Sequence, residues 1–195
     1  SYKNFIMKKN TSTLFLSLIM TIISIYSFGQ DNRIRQSQKS SVTQYVGSDT
    51  QITINYSRPS VKGRIVWGNM VPYGLAAPDK YSNGKSFPWR AGANENTTIE
   101  LNNDVSIEGN MLAAGKYSIH MIPSEKDWII IFNKNSNQWG SFSYDQSLDA
   151  LRVTVTPTNG PFEEFLSYNF GNITDSSVIA FLHWEKLKVP FQISL

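Results

Sequence analysis

The chain contains no cysteine, which removes a disulfide framework, a thiol nucleophile, a thiolate metal site and a lipobox for lipid attachment in one step. Histidine is nearly as scarce, so imidazole chemistry is confined to His120 and His183. No Gly-x-Ser-x-Gly elbow, His-Glu-x-x-His pair, phosphate-cradling loop or dinucleotide fingerprint occurs. A lasting excess of positive charge is missing too. Of the 18 basic residues, Lys3, Lys8 and Lys9 precede or open an N-terminal leader, and removing them leaves 15 basic against 15 acidic side chains. The balanced remainder has no basic stripe to track a nucleic acid.

What is present begins with that leader. Lys8-Lys9 precede an apolar run from Leu14 to Phe28, broken by Ser17, Thr21 and Ser24 and closing in Ser27-Phe28-Gly29. Basic opening, short apolar centre and small residues at the end are the parts of a secretory signal peptide. The run is short for a membrane span, which needs roughly 20 mostly apolar residues. An uncleaved anchor is the alternative. The expected organisation is residues 7–29 as signal peptide, with 1–6 upstream of Met7, then 30–42 as a polar flexible segment or early edge, then one domain over 43–195. The expected location is secreted or periplasmic, with no membrane attachment after cleavage.

The domain reads as strands. Ile52, Ile54 and Tyr56 alternate with Thr53, Asn55 and Ser57, and Arg58-Pro59 ends the run because proline cannot donate to a ladder. Residues 70–88 carry Pro72, Gly74, Pro78, Gly84 and Pro88, punctuation too dense for a regular element, and read as a long loop. Further strands are expected over 97–101, 105–107, 115–122, 128–132, 139–144, 151–156, 166–170, 178–184 and 189–195. Trp128 to Phe132 is apolar on both faces, which predicts a central strand covered on both sides. Pro190 suits an edge or a bulge. Helical periodicity is absent after the leader, and Gln146 to Ala150 is the best place for a short helix. The expected fold is all-β: a single antiparallel β-sandwich, jelly-roll-like or a barrel-like variant.

Four blocks along this path form a combination: Asn55-Tyr56-Ser57-Arg58-Pro59-Ser60-Val61-Lys62-Gly63-Arg64; Trp89 to Thr98; Ile131-Phe132-Asn133-Lys134 with Gln138-Trp139-Gly140; and His183-Trp184-Glu185-Lys186-Leu187. In these the chain resembles the family labelled domain of unknown function 2911, over about Thr43 to Ile193. The resemblance implies an exported β-rich protein of a type found mostly in Bacteroidota, and brings no catalytic residue with it. The chain departs from the shorter family pattern by inserting Leu75 to Pro88 between Val-Pro-Tyr-Gly and Trp-Arg.

The stretch from Trp89 to Thr97 carries the densest mixture of ligand-binding side chains. Trp89 offers a face for stacking on a sugar ring, and Arg90, Asn94, Glu95 and Asn96 offer oriented polar groups. The structural alternative is that Gly92 and Asn94 shape turns, Arg90 pairs with Glu95 and Trp89 plugs the core. Asn133, Lys134 and Trp139 form a second candidate group, with Trp139 able to join Trp89 in an aromatic platform, and His120 is a third. His120, His183 and Glu185 are weak metal candidates without a tight motif, so no metal and no cofactor are expected. Two readings stand: a non-catalytic domain binding a glycan, peptide or small polar ligand, and an extracellular hydrolase or lyase using Arg90, Glu95, His120 and Glu185. The oligomeric state is not written in the sequence.

Overall fold

Side-chain alternation decides which half of each strand faces the interior, and in the computed structural model, which describes residues 34–195, that alternation closes into two sheets. Residues 1–33, including the expected leader at 7–29, lie outside the described residues. Ten strands form: β1 Gln38–Val46, β2 Thr50–Arg58, β3 Thr97–Leu101, β4 Val105–Ile107, β5 Asn110–Leu112, β6 Gly115–Ile122, β7 Trp128–Asn133, β8 Asp149–Val155, β9 Thr158–Gly171 and β10 Ser177–Ser194. One sheet has the order β1-β2-β3-β6-β7-β8 and the other β5-β4-β10-β9, with every strand-to-strand pairing antiparallel. Both remain open, so the fold is a β-sandwich and not a barrel.

The register puts one apolar row after another between the sheets. Ile54 pairs with Ile99, Ile99 with Tyr117, Ile119 with Phe132 and Ile130 with Val153. The second sheet answers with Leu166, Tyr168, Val178, Ala180, Leu182, Trp184, Val189, Phe191 and Ile193, all buried. Each such aliphatic or aromatic side chain contributes about 1.5–3 kcal/mol when removed from water. With no disulfide present, this packing carries the stability of the unit Gln36–Leu195.

β7 is covered on both faces as its composition requires, since Ile131 on the outer side is as fully buried as Ile130 on the inner. The cover is the segment 134–148, ending in a single 3-10 turn at Gln146–Leu148. Within it, residues 139–144 are not the strand that alternation suggests. Gly140 has φ +63, Tyr144 N–H donates to Ser141 O, and Trp139 is exposed, so the aromatic spacing serves a turn. Residues 38–42 of the polar segment take its early-edge reading, because β1, the outermost strand of its sheet, pairs with β2 from Gln38↔Arg58 onward and turns Val42 toward the core. One other expectation changes. The two C-terminal strands are one, β10, whose inward side chains switch from even numbers at Trp184 to odd numbers at Val189 across register shifts on either side of Glu185. Glu185 takes φ +57 to make the switch. Pro190 falls between the end of one ladder at Lys188↔Thr158 and the start of the other at Ile193↔Ile107, where no partner strand calls for its missing N–H.

Candidate functional site

The Trp89 loop is an excursion from the large sheet. β3 sets Thr97 opposite Ile119, and the same register would place residue 95 opposite Met121. Trp89 stands there instead, its N–H donating to Met121 O at 2.9 Å and its carbonyl accepting from Met121 N–H at 2.8 Å. Residues 90–96 therefore leave the sheet and return to it. Ala91 and Asn94 make the bends at φ 52 and 61, a left-handed conformation that costs about 1–2 kcal/mol at alanine. The strained Ala91 is fixed by its own carbonyl, which accepts from Thr97 Oγ1 at 3.0 Å and from the Tyr168 hydroxyl at 2.9 Å. Tyr168 belongs to the opposite sheet, so both layers hold the loop. Gly92 has no room for a side chain, because a Cβ there would meet Thr97 Oγ1 at 2.7 Å and Ser57 O at 3.2 Å.

Under this loop the sandwich ends in tryptophan. The indoles of Trp89 and Trp184 lie nearly parallel, with ring centroids 6.2 Å apart, and Trp67 stands edge-on to both at 5.7 and 5.6 Å and to Trp128 at 5.0 Å. Such edge-to-face pairs add about 0.5–1.5 kcal/mol each beyond their burial. Trp67 Nε1 is buried without a hydrogen-bond partner among the described residues. Half-buried Trp89, with the buried Trp184 behind it, faces a cavity of about 560 Å³ whose walls come from Met70, Pro72, Ala76 and Phe87 and whose polar edge comes from Ser60, Lys62, Arg64, Arg90 and Asn94. The long loop after Met70 thus earns its length by walling the cavity. Arg90 Nη1 donates to Asn94 O at 2.7 Å, and the guanidinium lies over the Phe142 ring at 4.7 Å. Burial lowers its pKa from the ordinary arginine value, with Asp79 acting in the opposite direction. Gly140 is glycine for this reason: a Cβ there would collide with the Arg90 guanidinium.

A model of the family described as protein of unknown function, DUF2911, matches residues 37–193. The chain belongs to this family. No curated protein and no solved structure matches it.

The remaining candidates of this DUF2911 domain serve other purposes. Asn96 stitches the two sequence blocks together: its Nδ2 donates to Ser118 Oγ at 2.6 Å and to Ser136 O at 2.9 Å, and its N–H reaches Gln138 O. Glu95 meets Lys39 Nζ at 3.4 Å. Asn133 is fully buried and holds the 3-10 turn through Asp145 O and Asp149 Oδ1, while Lys134 is exposed. Trp139 is 57% exposed and stands apart from the cavity lining and from the tryptophan group; Trp184 takes the place beside Trp89 that Trp139 was expected to fill.

His120 sits on the covered outer face of β6 with Nδ1 2.7 Å from Ser141 Oγ. Burial holds its pKa down to about 4, against an upward pull from Asp149 and with a downward push from Arg90. Asp149 is committed to Arg152 Nε and the Tyr144 hydroxyl, both at 2.7 Å. His183 Nε2 contacts Pro161 O at 2.8 Å, and Glu185 occupies the β10 bulge. Among the described residues no group of three or more His, Asp or Glu side chains is placed to hold a metal ion. Of Arg90, Glu95, His120 and Glu185, the cavity brings in only Arg90, and His120 alone of the others is near enough to feel its charge. Sequence reasoning missed Trp67, Trp184, Lys62 and Arg64. The signal for the last two was the Val61-Lys62-Gly63-Arg64 turn, which reads as loop punctuation until the fold carries it to the cavity rim.

Proposed function

We propose that this DUF2911 domain is a non-catalytic binding module that takes a small ligand with one apolar face and a polar edge, such as a sugar ring, in the cavity on Trp89. The observation that supports this reading is the cavity itself. It has an aromatic wall, a polar rim and a volume of about 560 Å³, within the span typical of ligand pockets. Among the described residues its lining contains no aspartate, glutamate or histidine, the groups that general acid–base catalysis most often uses. The loop carrying Trp89 and Arg90 is held in a strained conformation by two hydrogen bonds, the kind of rigidity that keeps a binding surface preorganised. The domain is also proposed to act outside the cytoplasm after removal of residues 7–29. N-terminal sequencing of the exported protein tests that point.

The binding test uses tryptophan emission. Titration with a panel of mono- and disaccharides is expected to change the emission with saturation, and Trp89→Phe is expected to weaken that response while the protein stays folded. A panel that leaves emission and melting temperature unmoved at millimolar concentrations removes this reading.

A further inference from the structure

We infer that the polar edge of the ligand is anionic, and that the domain selects rings bearing a carboxylate, uronic acids being the simplest of them. The inference rests on the binding reading and sharpens it. Three cations, Lys62, Arg64 and Arg90, line the cavity, and among the described residues no carboxylate lines it. This is local organisation, because beyond the leader the chain balances its charges.

The way each cation is held points the same way. Two arginines elsewhere are matched to acids: Arg152 Nε lies 2.7 Å from Asp149 and Arg58 Nη2 lies 4.0 Å from Glu163. The two cavity arginines are positioned by neutral groups. Arg64 donates through Nε to Val61 O at 3.0 Å and through Nη2 to Ser60 O at 2.6 Å. Arg90 donates to Asn94 O and lies over Phe142. Neither forms an ion pair among the described residues. Asp79 is near enough to influence Arg90 electrostatically but makes no ion pair with it and lies outside the lining. Glu164 accepts from the Lys62 backbone N–H and also lies outside.

A guanidinium has five N–H donors in a planar fork that fits a carboxylate. Arg64 commits two of them and Arg90 one, so each retains donors after being oriented. Fixed orientation, a half-covered site and uncompensated charge together favour a planar anion over a hydroxyl. The indole of Trp89 then takes the apolar face of the ring that carries it.

The experiment compares glucuronate with glucuronamide, which has the same shape without the charge, by calorimetry and tryptophan emission on the purified protein. Glucuronate is expected to bind about tenfold or more tightly than the amide, and its affinity is expected to fall as sodium chloride rises from about 50 to 300 mM. Arg64→Gln, at an exposed position, and Arg90→Gln should each bring the two affinities together, glucuronate losing more than glucuronamide. Their melting temperatures report whether the fold survives. Equal affinities for the two compounds in the unaltered protein overturn the anion inference and leave the binding reading intact. Preference for glucose 6-phosphate over glucuronate overturns the carboxylate assignment. Absence of binding by these compounds and by the neutral sugars removes both.

Discussion

Acidification should unfold this protein partly through one buried imidazole. His120 has no exposed surface, and burial holds its pKa down to about 4, whereas the unfolded side chain titrates near 6.5. Above pH 6.5 the imidazole is neutral in both states and costs nothing. Between 6.5 and about 4 the unfolded chain takes up a proton that the folded chain refuses, so stability falls with pH, and the loss is complete below the folded value. The gap corresponds to about 3 kcal/mol, or about 10 °C in melting temperature for a domain of this size. Urea unfolding at intervals from pH 7.5 to 3.8, on the unaltered protein and on His120→Gln, isolates the imidazole because the carboxylates are common to both. Glutamine can still bond Ser141 but does not titrate. The two stability curves should converge by about 3 kcal/mol on descending through this window. Parallel curves, or an NMR titration of the His120 ring with its midpoint at 6 or above, would refute the argument.

Tyr168→Phe removes one of the two hydrogen bonds at the Ala91 carbonyl and is expected to cost about 1 kcal/mol in chemical denaturation, with added mobility confined to residues 90–96 in hydrogen exchange. Gly140→Ala forces a Cβ at φ +63 against Arg90 and should lower stability by about 1–2 kcal/mol; calorimetry should find the preference for glucuronate reduced with it. Asp149→Asn takes the charged partner from Arg152 and Tyr144, at a cost of about 1.5–3 kcal/mol. It should also move the His120 midpoint further down, since Asp149 pulls it up. Trp139→Ala, at an exposed position outside the cavity, should change stability by less than about 0.5 kcal/mol and leave sugar binding as it was.

Alternation was enough to place the inner faces of β2 and β6, because one side of each strand looks into the same core and the register repeats every second residue, while the two-sided apolar run of β7 marked it only as covered on both faces. It misled where a second layer of chain covers the sheet. Phe142 and Tyr144 alternate like strand residues, yet Phe142 stacks under Arg90 and Tyr144 bonds Asp149, contacts made by a turn reaching over β7. It was also blind to the continuity of β10, where the bulge at Glu185 reverses the inward parity and makes one strand read as two. At the site, Trp89, Arg90 and Asn94 were visible because they are adjacent in sequence and unlike their surroundings. Trp184 and Arg64 were not, since nothing local distinguishes a core tryptophan or a turn arginine from one that the fold delivers to a cavity. The asparagines of the second block looked like ligand contacts for the same reason: a carboxamide that ties two loops together has the composition of one that binds a sugar.

The return of residues 90–96 to the sheet makes the Trp89 loop exchangeable. Its ends rest on Met121 and Ile119 of β6, two residues apart on one strand and so about 7 Å from each other. Because it departs from and lands on neighbouring rungs, its tip at Ala93, Asn94 and Glu95 can change without moving any other strand by a residue, provided that the anchors at Ala91, Gly92 and Asn96 stay. Longer closures add little entropy cost, about 0.6 kcal/mol per doubling. The sandwich therefore acts as a socket for this tip, and on the binding reading proposed above, replacing it is expected to alter the ligand preference while the core remains as it is.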